Sequence, residues 1–333
     1  MATRKSTQRK LERQLNKLLL TVCIILLALL VQKLGLLGSG SAGAAGGSSA
    51  AQAAGSQPST AGDGVTVTVL DVGQGDSILV QAPGANLLID GSTPSCGSTI
   101  YSYLKSQGIT RLDYVINTHP HSDHVGGLAK VLKSLGKGNT GALWVTKYPS
   151  SLEPDTQSWP QLLQTAKAVG AAVTTPTPGT TCDLGGGAVL TVLGPAKTSE
   201  SDMNDNSIVC RLDYKDASFL FTGDASAAML EELARGGADL SADVLKVAHH
   251  GSNTGTDAAL LRLVKPKAAA ISCGKDNDYG HPHQEVLDLL EQNGVLCFRT
   301  DLQGNLVFYT DGANISVTPQ RSYQQKKALL SAA

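Results

Sequence analysis

Leu112-Asp-Tyr-Val-Ile-Asn117-Thr-His119-Pro-His121-Ser-Asp123-His124-Val-Gly126-Gly127 is the stretch that decides the fold. Its first six residues form an apolar run of strand length. Its closing glycines let the chain turn closely into a helix expected from Val125 to about Ser134. Between the two lie three imidazoles and a carboxylate within six residues. Imidazole nitrogen suits zinc, iron and related ions, and a carboxylate adds a harder oxygen. These groups converge only if the loop turns tightly. A lone histidine is usually plain structure, but His-x-His-x-Asp-His between a strand and a glycine pair reads as a metal site.

The other histidines sharpen that reading. All seven fall in three short clusters, the remaining two being His249-His250-Gly251-Ser252 and His281-Pro-His283. Histidines used as filler would scatter. The first two clusters follow apolar strand-like runs, where an open sheet presents its working residues.

Around these clusters strands and helices alternate. Val65–Leu70, Ser77–Gln81 and Asn86–Ile89 read as short strands, Gly73-Gln74-Gly75-Asp76 as a turn between the first two. A helix capped by Ser98 is expected to run to about Gln107. Further on come a strand at Leu143–Thr146, a helix at Gln161–Val169, and strands at Val189–Leu193, Ile208–Tyr214 and Ser218–Phe221. Three helix–strand pairs follow: Ala225–Arg235 with Val244–Ala248, Ala258–Val264 with Ala268–Ser272, and Glu285–Asn293 with Val295–Arg299. Strands near Leu306–Tyr309 and Ile315–Val317 finish the chain. This order predicts an α/β protein with two packed sheets covered by helices outside. The 36 glycines and 4% aromatic content suit a loop-rich α/β chain better than a helical bundle.

The N-terminal part reads differently. Residues 18–31 (LLLTVCIILLALLV) form an apolar run behind a basic flank. Residues 1–37 are therefore expected to be a membrane anchor or an export signal, with the following chain outside the cell. A cleaved signal would have Ala51-Gln52-Ala53 as a small-x-small site. Residues 38–64 are a Gly/Ser/Ala-rich linker, residues 65–320 the folded domain, and residues 321–333 a loose tail. Of the 27 basic residues seven lie in the first 37, with one of the 28 acidic ones, which leaves the rest of the chain at −7. Such a body does not grip nucleic acid through a broad basic face. Cys210, Cys273 and Cys297 read as small core residues, while Cys96 and Cys182 are a candidate disulfide if the domain lies outside the cell.

The metal loop resembles that of the metallo-β-lactamase superfamily, which implies a four-layer αββα sandwich and two divalent metal ions, zinc or manganese. The resemblance implies that His119 and His121 serve one metal, Asp123 and His124 the other, and that Asp224 in Phe219-Leu-Phe-Thr-Gly-Asp224 bridges both. A further ligand matches His249 or His250. Asp90 in Leu88-Ile-Asp90-Gly91 resembles the buried aspartate that orients the metal loop, and Asp76 belongs to a turn that shapes the site wall. The chain is more closely similar to the hydrolase domain of the ComEC/Rec2 competence proteins. The features that carry this are Leu70-Asp-Val-Gly-Gln-Gly-Asp76-Ser77, Asn204-Asp-Asn206-Ser207, Asp243-Val-Leu-Lys-Val-Ala-His249-His250-Gly-Ser252 and Tyr279-Gly-His281-Pro-His283. They run in that family's order over nearly the whole folded region. The family's multi-helix membrane channel has no counterpart in these residues, so hydrolysis rather than transport is implied.

One departure stands out: no histidine lies between His124 and His249, where most relatives place a ligand. Asn204, Asp205 or Asn206 is the candidate replacement, Asn206 being taken forward, and the alternative is a plain turn. An oxygen-richer site tolerates manganese better than a histidine-rich one. Asp123, Lys246, Ser252 and His283 are the catalytic candidates, the last three to hold phosphate or protonate a leaving oxygen. Against this, strand lysines usually face solvent, and Gly-His-Pro-His can be a surface turn. The expected activity is an extracytoplasmic phosphodiesterase or nuclease acting on DNA by metal-activated hydroxide. The competing expectations are hydrolysis of a phosphocholine ester or a lactam, and a tethered binding module without catalysis.

Overall fold

The computed structural model describes residues 64–154 and 156–322. The apolar run at residues 18–31, the linker through residue 63 and most of the expected tail lie outside the described residues. Among the described residues no helix is long and apolar enough to cross a membrane.

Two mixed sheets form the body. The chain enters the first through β1 (Val65–Val69), β2 (Ile78–Gln81) and β3 (Asn86–Ile89), passes helix α1 (Gly97–Ser106), and returns as β4 (Leu112–Asn117). Two short helices, α2 (Ser122–Val125) and α3 (Leu128–Leu135), lead to β5 (Thr140–Val145), then α4 (Ser158–Val169) and β6 (Ala172–Thr174). The second sheet starts with β7 (Thr181–Gly185), β8 (Ala188–Gly194), β9 (Val209–Tyr214) and β10 (Ala217–Phe221). It continues through α5 (Ala227–Arg235), β11 (Val244–Lys246), α6 (Ala258–Val264), β12 (Ala268–Ile271), α7 (Gln284–Gln292) and β13 (Leu296–Arg299). After α8 (Thr300–Gln303) the last strands, β14 (Leu306–Thr310) and β15 (Ile315–Pro319), join the first sheet. The orders are β15-β14-β1-β2-β3-β4-β5-β6 and β13-β12-β11-β10-β9-β8-β7. Strands β3 to β6 are parallel, as are β10 to β13.

The two-residue period of a strand divides the apolar side chains between layers. Ile78, Val80, Leu87 and Ile89 face the space between the sheets, where they meet Leu212, Phe219, Phe221 and Val244. Leu79 and Leu88, one residue out of phase, pack under Ile100, Leu104, Val131 and Leu162 of α1, α3 and α4. On the far side, Leu220, Leu245 and Ala269 pack under Leu230, Leu260, Leu261 and Leu290 of α5, α6 and α7. Three apolar cores therefore separate four layers, the αββα sandwich expected from the sequence.

Several expectations are corrected. The single helix at 125–134 is two helices, because Gly127 donates its amide to the carbonyls of Gly91 and Ser92 and breaks the run. A Cβ on Gly127 would meet the Gly91 oxygen at 2.3 Å. Ser98 lies inside α1 and does not cap it. Cys182 is not in a loop: it is buried in β7 between the sheets, and Cys96 donates its thiol to the Val72 carbonyl at 3.1 Å, so both are free. Arg321 is tied rather than loose, its guanidinium 2.7 Å from Asp71 Oδ2 and its amide bonded to the Gln303 carbonyl.

Candidate metal centre

Parallel strands from both sheets end on one rim. β3 delivers Asp90, β4 the His119–His124 loop, β10 Asp224, and β11 the His249–His250 pair. Asp90, Ser92, His249 and His250 all have φ between 49° and 60°, a left-handed conformation that costs a non-glycine residue about 1 kcal/mol or more. Four such residues in one place mark a rim held in shape by the rest of the fold.

The imidazoles and carboxylates meet there. His119 Nε2 lies 3.0 Å from His121 Nδ1 and 3.8 Å from Asp224 Oδ2. His124 Nε2 lies 3.2 Å from Asp224 Oδ1 and 3.3 Å from His250 Nε2. His250 Nε2 is also 3.3 Å from Asp123 Oδ2. His119, His124 and Asp224 form one group able to hold a cation, and Asp123, His124 and His250 another. Of the adjacent pair, His250 is buried among these ligand atoms. His249, 28% exposed, brings its Nε2 to 3.7 Å from Asp224 Oδ2, the same oxygen that His119 approaches. Both members of the pair therefore flank Asp224.

Buried partners aim these groups. Asp90 accepts from Asn117 Nδ2 at 3.0 Å, from the Thr118 amide at 2.8 Å and from the Thr118 hydroxyl at 2.6 Å, and it lies 2.8 Å from His124 Nδ1. That contact turns His124 Nε2 toward Asp224. His250 Nδ1 donates to the Ser272 carbonyl at 2.9 Å, which leaves Nε2 free for the cluster.

A cation fits this set. Asp224 Oδ1 and Asp76 Oδ1 are buried without a hydrogen-bond partner, and imidazole nitrogens face one another at little over 3 Å. Orphaned oxygens beside converging nitrogens are what a divalent ion satisfies. Without one, protons are drawn in. Burial would lower His250, but the carboxylates of Asp224, Asp123 and Asp76 outweigh it and push the imidazole up to about 10. His124 is likewise raised well above its ordinary range, Asp224 and Asp90 overcoming burial. Burial, then the neighbouring His124, holds His119 well below it. Burial would raise the Asp224 carboxyl, but His124 and His250 hold it well below the carboxylate range.

Four expected roles are corrected. Lys246 faces neither solvent nor substrate: it is 2% exposed, and its ammonium lies 2.9 Å from Asp76 Oδ2 and donates to the Val247 carbonyl. Asp76 thereby anchors the turn against β11, and its carboxyl, which burial would raise, is held well below its usual range by Lys246 and His250. Asn206 is consumed as a loop staple, its amide bonded to Ser199 N, Ser199 O and Asp202 O. Asp205 accepts from the Ser226 amide. Asn204 is the member of that triplet that lines the cleft, with its Oδ1 buried and unpartnered. Ser252 is absent from the cleft lining and bonds Thr254, whose hydroxyl lies 3.3 Å from His249 Nδ1. His283 Nδ1 accepts from the Asn253 amide ahead of α7, and the imidazole that lines the cleft is His281.

The cleft above the cluster holds about 680 Å³ and is lined by His121, Asp123, Asp224, His249 and His250 on its floor side, with Gln74, Asn204, Tyr279 and His281 around them. Burial, then the neighbouring His250 and His249, pushes His281 down to about 4, so this imidazole is neutral at pH 7. Tyr279, His281 and Gln74 lie in motifs visible in the sequence but were not among the expected site residues. The Gly-His-Pro-His motif carried the signal for His281, but spacing alone does not say which of two alternate imidazoles faces inward.

Comparison with known proteins agrees with this geometry. The family described as the metallo-beta-lactamase superfamily matches residues 70–275. ComE operon protein 3 of Bacillus subtilis is 32% identical over 260 residues, covering 73% of this chain and 32% of that protein. Competence protein ComA of Neisseria gonorrhoeae is 31% identical over 269 residues, covering 78% of this chain and 35% of that protein. The chain spans about a third of the length of these curated relatives. Among solved structures, the metallo-beta-lactamase fold protein YhfI from Bacillus subtilis is similar with a TM-score of 0.49 at 15% identity, over 74% of this chain and 100% of that one. The matched span contains the HxHxDH loop, Asp224 and the His249–His250 pair, and the chain belongs to the metallo-β-lactamase superfamily, of the ComEC/Rec2 type.

Proposed function

We propose that the chain is an extracytoplasmic metal-dependent phosphodiesterase that cleaves DNA. One observation carries the hydrolytic part: His119, His121, Asp123, His124, Asp224 and His250, drawn from both sheets, converge under an open cleft. The choice of DNA is supported by the names of the similar proteins, which speak of competence and, for the Haemophilus influenzae protein 31% identical over 233 residues, of recombination. The extracytoplasmic placement is supported by the basic flank and apolar run at residues 18–31.

Two divalent cations, zinc or manganese, supply Lewis acidity when bound, making water nucleophilic near neutral pH and offsetting charge on phosphoryl oxygens. The protein's own residues do the positioning. Asp224 sits among the imidazoles, its Oδ1 3.2 Å from His124 and its Oδ2 within 3.8 Å of His119, His249 and His250. Asp90 and Ser272 fix the ring orientations of His124 and His250. Asn204 lines the cleft and keeps a buried, unpartnered amide oxygen, in the stretch where the expected middle histidine is missing.

The test is direct. The full-length protein supplied with manganese or zinc is expected to cut oligodeoxynucleotides, and His121→Ala to reduce cleavage at least a hundredfold. If neither DNA nor any small phosphodiester is hydrolysed with any divalent cation, the proposal fails.

A further inference from the structure

We propose that Tyr279, backed by His281, is a stacking shelf for a nucleobase beside the metal cluster, which makes unpaired nucleotide chains the substrate class of this site. The inference rests on the phosphodiesterase reading above and adds to it how the substrate is held.

Tyr279 is 64% exposed, the most exposed large apolar side chain among the described residues. Its ring lies nearly parallel to that of His281, with centroids 5.6 Å apart and planes 21° apart. With His281 against it on one side, that exposure belongs to the rest of the ring. His281 in turn stands 5.5 Å from the His249 ring, whose Nε2 approaches Asp224. Two ring contacts thus lead from the open tyrosine to the cluster, and all of these residues line the same cleft.

The shelf is built, not accidental. Asn277 spends its whole side chain on this loop: Oδ1 accepts from the amides of Tyr279 and His281 at 3.1 and 3.0 Å, and Nδ2 donates to the carbonyls of Gly274 and His281 at 2.8 and 2.6 Å. The backbone under the tyrosine is therefore fixed before any ligand arrives. A tyrosine has only two side-chain torsions to order, so a preorganised loop presents a large flat face at small entropic loss.

Charge points the same way. Outside its first 37 residues the chain is net −7, so phosphate contacts supply little of the affinity for a polyanion. Base–aromatic stacking is the other general source, and it tolerates any sequence because each base has a π face. Bases inside a duplex are already stacked on one another. Those of a single strand are free to lie on Tyr279.

The experiment uses the metal-loaded full-length protein, an oligothymidylate and an abasic phosphodiester chain of equal length. The readout is the ratio of kcat/KM on the first substrate to that on the second. Wild type is expected to favour the base-bearing chain. Tyr279→Ala is expected to lower the ratio about tenfold through KM, and Tyr279→Phe to restore it. An unchanged ratio in Tyr279→Ala, or a wild-type ratio near one, overturns the shelf. If wild type hydrolyses neither chain, the phosphodiesterase reading falls, and the shelf is judged from fluorescence anisotropy of labelled oligothymidylate. About tenfold weaker binding by Tyr279→Ala than by Tyr279→Phe upholds it, and equal binding overturns it.

Discussion

At the residue scale the centre is a contest between protons and cations. The four carboxylates of Asp76, Asp90, Asp123 and Asp224 surround His124 and His250 at 2.8 to 3.6 Å. In the metal-free protein burial would lower His250, but Asp224, Asp123 and Asp76 raise it from its ordinary 6.5 to about 10. A raised folded value contributes stability that is complete below pH 6.5 and is lost as pH climbs through about 10. A cation needs the same nitrogen unprotonated, so its binding releases protons and its apparent affinity rises over that window. Calorimetric titration with manganese at pH 7 in two buffers of different ionisation enthalpy is expected to show proton release. Equal heats in both would contradict the protonated state of the empty cluster. Asp90 gives a second test. Asp90→Ala strands the Thr118 amide, the Asn117 side chain and His124 Nδ1 in a buried site, and each stranded group costs about 1 to 3 kcal/mol. The variant is expected to lose several kcal/mol in urea melts and about 10- to 100-fold in metal affinity.

At the element scale the sequence was most legible where periodicity and ligand chemistry coincide. β3, β4 and α6 fall where the sequence places them, at Asn86–Ile89, Leu112–Asn117 and Ala258–Val264, and Asp257 caps α6 by accepting from the Leu260 amide at 2.8 Å. The HxHxDH loop was legible because its ligands are neighbours in the chain. β6 and β7 were not: β6 is a three-residue edge strand exposed throughout, and β7 alternates exposed and buried residues inside a Thr/Gly-rich stretch that reads as loop. Side-chain direction at strand ends was also hidden. Lys246 turns inward because Asp76, 170 positions earlier in the chain, arrives beside it, and no local pattern reports that. His281 and not His283 faces the cleft because the loop around Asn277 sets their directions. The break between α2 and α3 belongs to this scale too. Gly127→Ala would push a Cβ into the Gly91 carbonyl oxygen and the Gly97 backbone, none of which can swing aside as a flexible side chain would. It is expected to cost about 1 to 3 kcal/mol and to reduce metal uptake, measured by urea melts and metal analysis of the same preparation.

At the scale of the folded body the centre lies on a seam. The first sheet carries Asp90 and the His119–His124 loop, the second carries Asp224 and the His249–His250 pair, and the two sheets otherwise meet through the apolar core between them. Ser272 Oγ donates to the Gly75 carbonyl at 2.6 Å and the Lys246 ammonium lies 2.9 Å from Asp76 Oδ2, so the rim is laced across that seam as well. A cation held by His119 or His124 together with Asp224 joins the halves of the sandwich, and unfolding must release it. Binding to the folded state alone stabilises by about 2.7 kcal/mol when free ligand is a hundredfold above its Kd. Manganese or zinc is therefore expected to raise the thermal midpoint of the whole folded body in one cooperative transition, and a chelator to reverse the gain. Asp224→Asn is expected to lose most of that gain while leaving the transition single, because the inter-sheet core does not depend on the ion. A metal-induced shift confined to one part of the molecule, with the rest unfolding at its metal-free midpoint, would show that the ligands do not bridge the two sheets.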